Sequence, residues 1–344
     1  MRTIVLLLIA ATAAPAADRA YWVCVSNERS GEVTVIDGAD AKVVARIPAG
    51  KRPRGLHPSP DGRFLYVAVS GSPITGPPKL DAKGKPIFEE SKEESDPAAD
   101  GIAVVDLPAR KFLKKLPAGS DPEEFAVSKD GTKLYIANED VGTMSVLNVA
   151  SAKVERIVRV RKEPEGVALS PDGRHVYVTC ETGGEVIVID TATHKAVAEL
   201  AIGGRPRTVA FLPDGSRAFI PSETDGVVSV VDTAAHKVVK VIKLPDGSRP
   251  MGTAMAADGK RLYVSTGRAG TVCVLDPDEG KVLGTIPVGK RPWGLGLSPD
   301  GRLLYVANGP SNDVSIVDVA GGKEIGRVPT GDGPWGIAVV PKAR

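Results

Sequence analysis

The chain is poor in the residues that carry most enzyme chemistry. Its 344 residues include four histidines, four methionines, three cysteines and three tryptophans. A metal centre needs about three or four convergent ligands, so a histidine-based site has little to draw on. Three cysteines leave at least one unpaired, and no C-x-x-C-H is present, which excludes covalent haem attachment. Cys24, Cys180 and Cys273 lie in apolar, strand-like runs and are expected as small buried hydrophobes. Lys and Arg total 44 against 42 Asp and Glu, a formal charge of +2. That balance lacks the basic footprint of a nucleic-acid binder. With aromatics at 4% there are also few stacking platforms for single strands, so nucleic acid is not an expected partner.

One apolar run stands at the start. Met1-Arg2-Thr3 is followed by apolar residues from Ile4 to Ala11 and then by Ala14-Pro15-Ala16. A charged start, a short apolar stretch and a small-residue site form a secretory signal peptide over residues 1–16. The run is far shorter than the roughly 20 residues that span a bilayer. Cleavage would release residues 17–344 to the periplasm or the medium. Cys24 lacks the small residues that precede a lipidated cysteine, so no membrane anchor is expected after cleavage.

What the chain does have is a repeat. Its clearest copy is Ser298-Pro299-Asp300-Gly301-Arg302-Leu303-Leu304-Tyr305-Val306-Ala307-Asn308. The Tyr position is filled in turn by Cys24, Tyr66, Tyr135, Tyr177, Phe219, Tyr263 and Tyr305, at intervals of 42, 69, 42, 42, 44 and 42 residues. A period of about 40 residues made only of short strands is the signature of a propeller blade. Each unit reads as four strands separated by Gly, Asp and Pro turns. In the unit Pro292 to Gly333 the strands are expected at Trp293–Ser298, Leu303–Asn308, Asp313–Asp318 and Lys323–Val328.

The third strand ends in an acid or amide in every unit: Asp37, Asp106, Asn148, Asp190, Asp232, Asp276 and Asp318. A side chain recurring in all seven units belongs to the scaffold, and an Asx-type turn accounts for it. His194 and His236 fall in these turns and are expected as solvated repeat positions. The first unit lacks its inner strand, and the chain ends in an unmatched one, Trp335 to Val340. That strand completes the first unit. The fold class is therefore all-β: one seven-bladed β-propeller of four-stranded blades, closed by its last strand, with no exposed sheet edge at the closure.

The segments Val176-Tyr177-Val178-Thr179 and Leu304-Tyr305-Val306-Ala307-Asn308, with Val314 to Asp318, resemble the YVTN-family β-propeller repeat over nearly all of residues 17–344. Asp121-Pro122-Glu123 and Glu163-Pro164-Glu165-Gly166 resemble the members linked to quinone-cofactor catabolism. The repeat is also similar to the haem d1-binding propeller of cytochrome cd1-type nitrite reductases. The resemblance implies an exported propeller and a possible tie to redox cofactors, but names no ligand; the cofactor stays unknown.

A repeat serves as its own control, because positions that vary at a fixed place are candidates for function. The residues before the inner-strand prolines are Arg52, Asp121, Glu163, Arg205, Arg249, Arg291 and Gly333. Those after it are Arg54, Glu123, Glu165, Arg207, Met251, Trp293 and Trp335. Connectivity places all of them around one mouth of the central channel, together with Glu139, Glu181 and Glu223 from neighbouring loops. Acids cluster on adjacent blades, arginines on others, and two consecutive blades carry Trp. Such a bipolar rim suits a small molecule or a periplasmic protein with complementary charge. The competing account is that Arg and Glu pair across the mouth and only support the ring.

Two further irregularities stand out. Residues 71–100 insert about 27 residues into the second blade, with five prolines and a Glu89-Glu90, Glu93-Glu94 run. That composition argues against a packed core and fits either a lid or docking arm over the mouth or a surface loop. His57 occupies an inner-strand position that is Ala or Gly in the six other blades. It is the candidate general base if the chain is a hydrolase of lactonase type, with Glu123 and Glu165 as its candidate partners. The leading expectation is a monomeric, noncatalytic binding scaffold that uses the mouth. The alternatives are that hydrolase or an accessory protein of a quinone or haem pathway.

Overall fold

In the computed structural model, residues 20–74 and 94–342 are described, together with the backbone of Lys79–Leu80 and Pro86–Ile87. The expected signal peptide and part of the 71–100 insertion lie outside these residues.

Seven four-stranded antiparallel sheets form the ring of a seven-bladed β-propeller. Blade 1 combines Pro334–Pro341 with Tyr21–Asn27, Glu32–Asp37 and Lys42–Pro48, so the last strand of the chain is the inner strand of the first blade. Its register pairs Cys24 with Ala338 and Trp22 with Val340. Blades 2 to 7 follow in chain order, their inner strands beginning near residues 56, 122, 164, 210, 250 and 292. Inner strands start at the proline itself in blades 1, 3, 4, 6 and 7, one residue earlier than expected, and only at Leu56 and Ala210 in blades 2 and 5, later than the expected starts after Pro53 and Pro206.

The local rules are visible in the repeat. In Ser298-Pro299-Asp300-Gly301, the Ser298 hydroxyl donates to Asp300 at 2.6 Å and accepts from Leu303 N–H at 2.9 Å. Gly301 sits at φ 68°, a left-handed conformation that favours glycine. The acid ending the third strand caps a turn, as in Asp190 accepting from Thr193 N–H at 2.7 Å. Four residues after that acid the backbone is again left-handed, and His194 (φ 56°) and His236 (φ 47°) hold this turn position. Both are half-buried rather than fully solvated, and His236 packs edge-on against His175.

The core is divided into apolar layers between adjacent blades. The layer between blades 1 and 2 joins Cys24, Val33 and Val340 to Leu56, Leu65 and Val67. The layer that closes the ring joins Tyr21 and Val23 to Tyr305 and Val314, with the two tyrosine hydroxyls 2.8 Å apart. Alternating apolar residues on both faces of each sheet supply these layers. The three cysteines are buried and unpaired, as expected. Burial pushes the thiols of Cys24 and Cys180 up to about 12 and that of Cys273 up to about 11.

Candidate functional site

The mouth is shaped by a bulge in the inner strands. In blade 3, Pro122 pairs with Asn138 and Phe125 with Ile136, so Glu123 and Glu124 together face one partner residue. The same shift brackets Glu165-Gly166, Met251-Gly252 and Trp293-Gly294. Bulges re-aim side chains; in blade 3 Glu124 lines the channel in place of Glu123, whereas in the other bulged blades Glu165, Met251 and Trp293 line it. The glycine that follows lets the next blade approach closely. A Cβ on Gly166 would lie 2.0 Å from the Arg207 carbonyl oxygen, and one on Gly252 2.4 Å from that of Trp293. Hydroxyls pin the approach: Thr179 donates to the Arg207 carbonyl at 2.6 Å, and Ser265 to that of Trp293 at 2.6 Å.

A second backbone bond stacks the other ring of mouth residues. The residue following the second strand donates its N–H to the carbonyl of the residue before the proline. The pairs are Glu28 to Gly333, Glu139 to Asp121, Glu181 to Glu163, Glu223 to Arg205, Gly267 to Arg249 and Gly309 to Arg291, at 2.8 to 3.4 Å. Four blades therefore place a glutamate directly beside the mouth, whereas blades 6 and 7 place glycine.

Most of the residues singled out from the sequence converge into two ion networks. On one side Arg52 donates to Glu28 at 3.2 Å and to both Asp121 oxygens at 3.1 and 3.2 Å. Arg54 donates to Glu28 at 2.9 Å, contacts Glu123, and lies 3.7 Å from Glu139. Four carboxylates here meet two arginines. Burial, followed by the charge of Asp121, holds the Glu139 carboxyl well above the usual range. Oxygens of Asp121, Glu123 and Glu139 come within 4.8 Å of one another, spacing that a hard cation accepts. Arg52 and Arg54 already face those carboxylates, and the group is satisfied as an ion network.

On the other side Arg207 binds Glu165, Glu181 and Glu223 at once. Arg205 pairs with Glu181 at 2.5 Å and with Glu223 at 3.3 Å. Glu223 is desolvated, yet the Arg207 and Arg205 charges outweigh that and hold its carboxyl down to about 2. Burial dominates at Glu165, whose pKa is raised despite Arg207. Arg207, Glu165 and Glu181 are buried. Ion pairing across the mouth is therefore real for these residues.

The remaining residues lie outside both networks. Glu163 is exposed and accepts from Thr182. Arg249 donates to the Thr224 carbonyl at 3.0 Å, and Met251 is buried. Trp293 and Trp335 stack on each other, centroids 5.0 Å apart at 30°, and Trp335 is buried; the two indoles cover one another. The guanidinium of Arg207 lies 5.2 Å and that of Arg291 5.3 Å from the Trp293 ring. Beneath the mouth the channel encloses a cavity of about 400 Å³, walled largely by apolar residues such as Leu56, Phe125, Val167 and Leu295. That volume falls at the lower end of small-molecule sites, about 300–1,000 Å³.

His57 lines this cavity, and its partner is neither Glu123 nor Glu165. Its Nε2 lies 2.7 Å from Glu124 Oε1, its ring edge-on to Phe125. Glu124 and Glu28 were both missed by the sequence reading. Each had a signal: Glu124 replaces the bulge glycine, and Glu28 holds the repeat position of Glu139, Glu181 and Glu223. The described base of the insertion touches the same face. Lys51 Nζ meets Asp96 at 2.6 Å, and Asp100 accepts from Gly71 N–H at 2.8 Å.

Seven four-stranded blades closed into a ring define the class: a seven-bladed β-propeller with a cavity in its channel. Residues 167–324 match the lactonase family of seven-bladed β-propellers. Hydrazine synthase subunit beta from Kuenenia stuttgartiensis is 26% identical over 141 residues, which cover 38% of this chain and 36% of that subunit, about a third of its length. A solved structure of Kuenenia stuttgartiensis hydrazine synthase superposes with a TM-score of 0.73 at 23% identity, over 88% of this chain and 94% of that one. The dihydro-heme d1 dehydrogenase NirN, solved in complex with DHE, superposes with a TM-score of 0.65 at 18% identity, over 94% and 76% of the two chains. At these identities the solved structures establish the shared fold.

Proposed function

We propose that this chain is an exported, noncatalytic binding propeller that takes a small molecule or a periplasmic protein at the loop-bearing mouth of its channel. The observation that carries this reading is the open, apolar cavity of about 400 Å³ beneath a charge-segregated rim. The two buried ion networks hold that rim rigid, and a preorganised rim lowers the ordering cost of binding. Export is supported by the leader-like residues 1–16. The test is native mass spectrometry of the chain purified from its own host, beside a variant whose channel is plugged by Ala168→Trp. A mass that is lost on denaturation, and absent from the folded variant, supports the reading. A ligand retained by the plugged variant refutes it.

A hydrolase of lactonase type is the second reading, favoured by the His57–Glu124 pair in the same cavity and by the family match. A carboxylate on Nε2–H would hold the imidazole in the tautomer whose other nitrogen accepts a proton. Lactone hydrolysis abolished by both His57→Gln and Glu124→Gln, with ligand binding retained, would establish it. The names of the similar hydrazine synthase and NirN structures also point to redox-enzyme surroundings. A quinone or tetrapyrrole mass in the native spectrum would move the reading there.

A further inference from the structure

We infer that the ligand is an organic anion, that its acid group pairs with Arg291, and that its apolar body enters the channel beside Trp293; this rests on the mouth being the binding site. The argument begins with the ring of glutamates beside the mouth. Arg52, Arg54, Arg205 and Arg207 each meet at least one of these glutamates or a neighbouring acid. Arg291 lies between the two blades where that position is glycine, Gly267 and Gly309. Its guanidinium has no carboxylate or carbonyl partner among the described residues, and its one described contact is the Trp293 ring.

Arg291 adopts a left-handed backbone at φ 48°, as do Arg52, Asp121, Glu163 and Arg205 at the same repeat position, so the turn itself belongs to the scaffold. Burial, followed by the nearby charge of Arg207, holds the Arg291 pKa below the ordinary guanidinium value, and the charges of Glu223, Glu28 and Glu165 offset this only in part. A half-buried cation that no carboxylate contacts directly is costly in the free protein, and an arriving anion lowers that cost. A carboxylate or phosphate would meet a planar fork of donors, while Trp293 and Trp335 lead from it into the apolar cavity. The acid-rich opposite side of the mouth orients such a molecule by repelling its charged end.

The vacancy can be filled from within. Gly309 corresponds to Glu139, and a Cβ there meets only ordinary contacts, 3.7 Å from the Pro334 carbonyl oxygen. Because a residue before proline resists helical backbone, the double change Gly309→Glu with Pro310→Asp copies the Glu139-Asp140 of blade 3 and supplies Arg291 with an internal carboxylate.

The experiment follows the three indole N–H signals by NMR in wild type, in Arg291→Gln and in the double variant, using 2-naphthoate and its neutral amide as probes. Trp22, which packs against Lys342 and Arg110, is the internal control. Naphthoate is expected to shift Trp293 and Trp335 but not Trp22, binding about tenfold tighter than the amide, as one charge-assisted pair requires. Both variants should erase that preference while melting near the wild-type temperature. Equal binding of the two probes by wild type, or a preference that survives either variant, overturns the anion assignment and leaves the mouth reading standing. If neither probe moves Trp293 or Trp335 at millimolar concentration, the assignment also falls, and the plugged-channel variant then decides the mouth reading separately.

Discussion

Arg207 offers the sharpest test of how the mouth is held together. It is buried and binds Glu165, Glu181 and Glu223, which leaves Arg205 as the other arginine paired within that network. Arg207→Met keeps much of the side-chain volume but strands three carboxylates. Removing one member of a buried ion network costs about 3–5 kcal/mol. The linkage calculation agrees in scale. Glu223 falls from 4.5 in the unfolded chain to about 2 in the folded one, and at 1.36 kcal/mol per unit this contributes about 3 kcal/mol. A depressed acid stabilises above its unfolded pKa, and that stability is lost as pH falls from 4.5 toward 2. In the variant the carboxylates lose their main counter-charge, so the depression of Glu223 is lost, and protonation of the network in acid relieves the repulsion. The expected result is a melting temperature lowered by roughly 5–10 °C at pH 7, with the gap to wild type narrowing at pH 4, followed by circular dichroism or calorimetry. A variant as stable as wild type at pH 7, or a gap that does not narrow in acid, would refute this account of the network.

Three further predictions follow from the scaffold. Gly166→Ala should destabilise by about 1–3 kcal/mol or more, because its Cβ would meet the Arg207 carbonyl oxygen at 2.0 Å; Gly326→Ala, where nothing lies within 4 Å, should be near neutral in the same melting assay. Truncation before Pro334 removes the inner strand of blade 1 and bares the edge of Tyr21–Asn27. The truncated chain should aggregate or melt much earlier, and a monomer of unchanged melting temperature in size-exclusion and thermal scans would contradict ring closure by that strand. The thiols, raised to about 11–12 and buried, should resist a thiol reagent at pH 8 in the folded protein. All three should react after denaturation; fast labelling of the native chain would show that a blade opens locally.

The fold was legible because its determinants are local and repeated. Asp-Gly turns, alternating strands and acid-capped turns each act within a few residues, and their recurrence from blade to blade leaves little ambiguity. Even closure could be read, since an unmatched first unit and a spare last strand admit one pairing. Within the site, repeat comparison located the arginines, glutamates and tryptophans of the mouth. It did not assign partners: His57 meets Glu124 rather than Glu123 or Glu165, because the bulge turns adjacent residues in different directions.

What the sequence by itself determined is therefore the blade, the count of blades and which residues ring the channel. Tertiary structure alone decided which charges are spent on one another. Arg205 and Arg291 look alike in the repeat, both standing just before an inner-strand proline. One pairs with Glu181 and Glu223, and the other faces blades that carry glycine where those glutamates stand. Pairing depends on distances between blades some 40 residues apart in the chain, which the ring sets and a linear pattern does not contain.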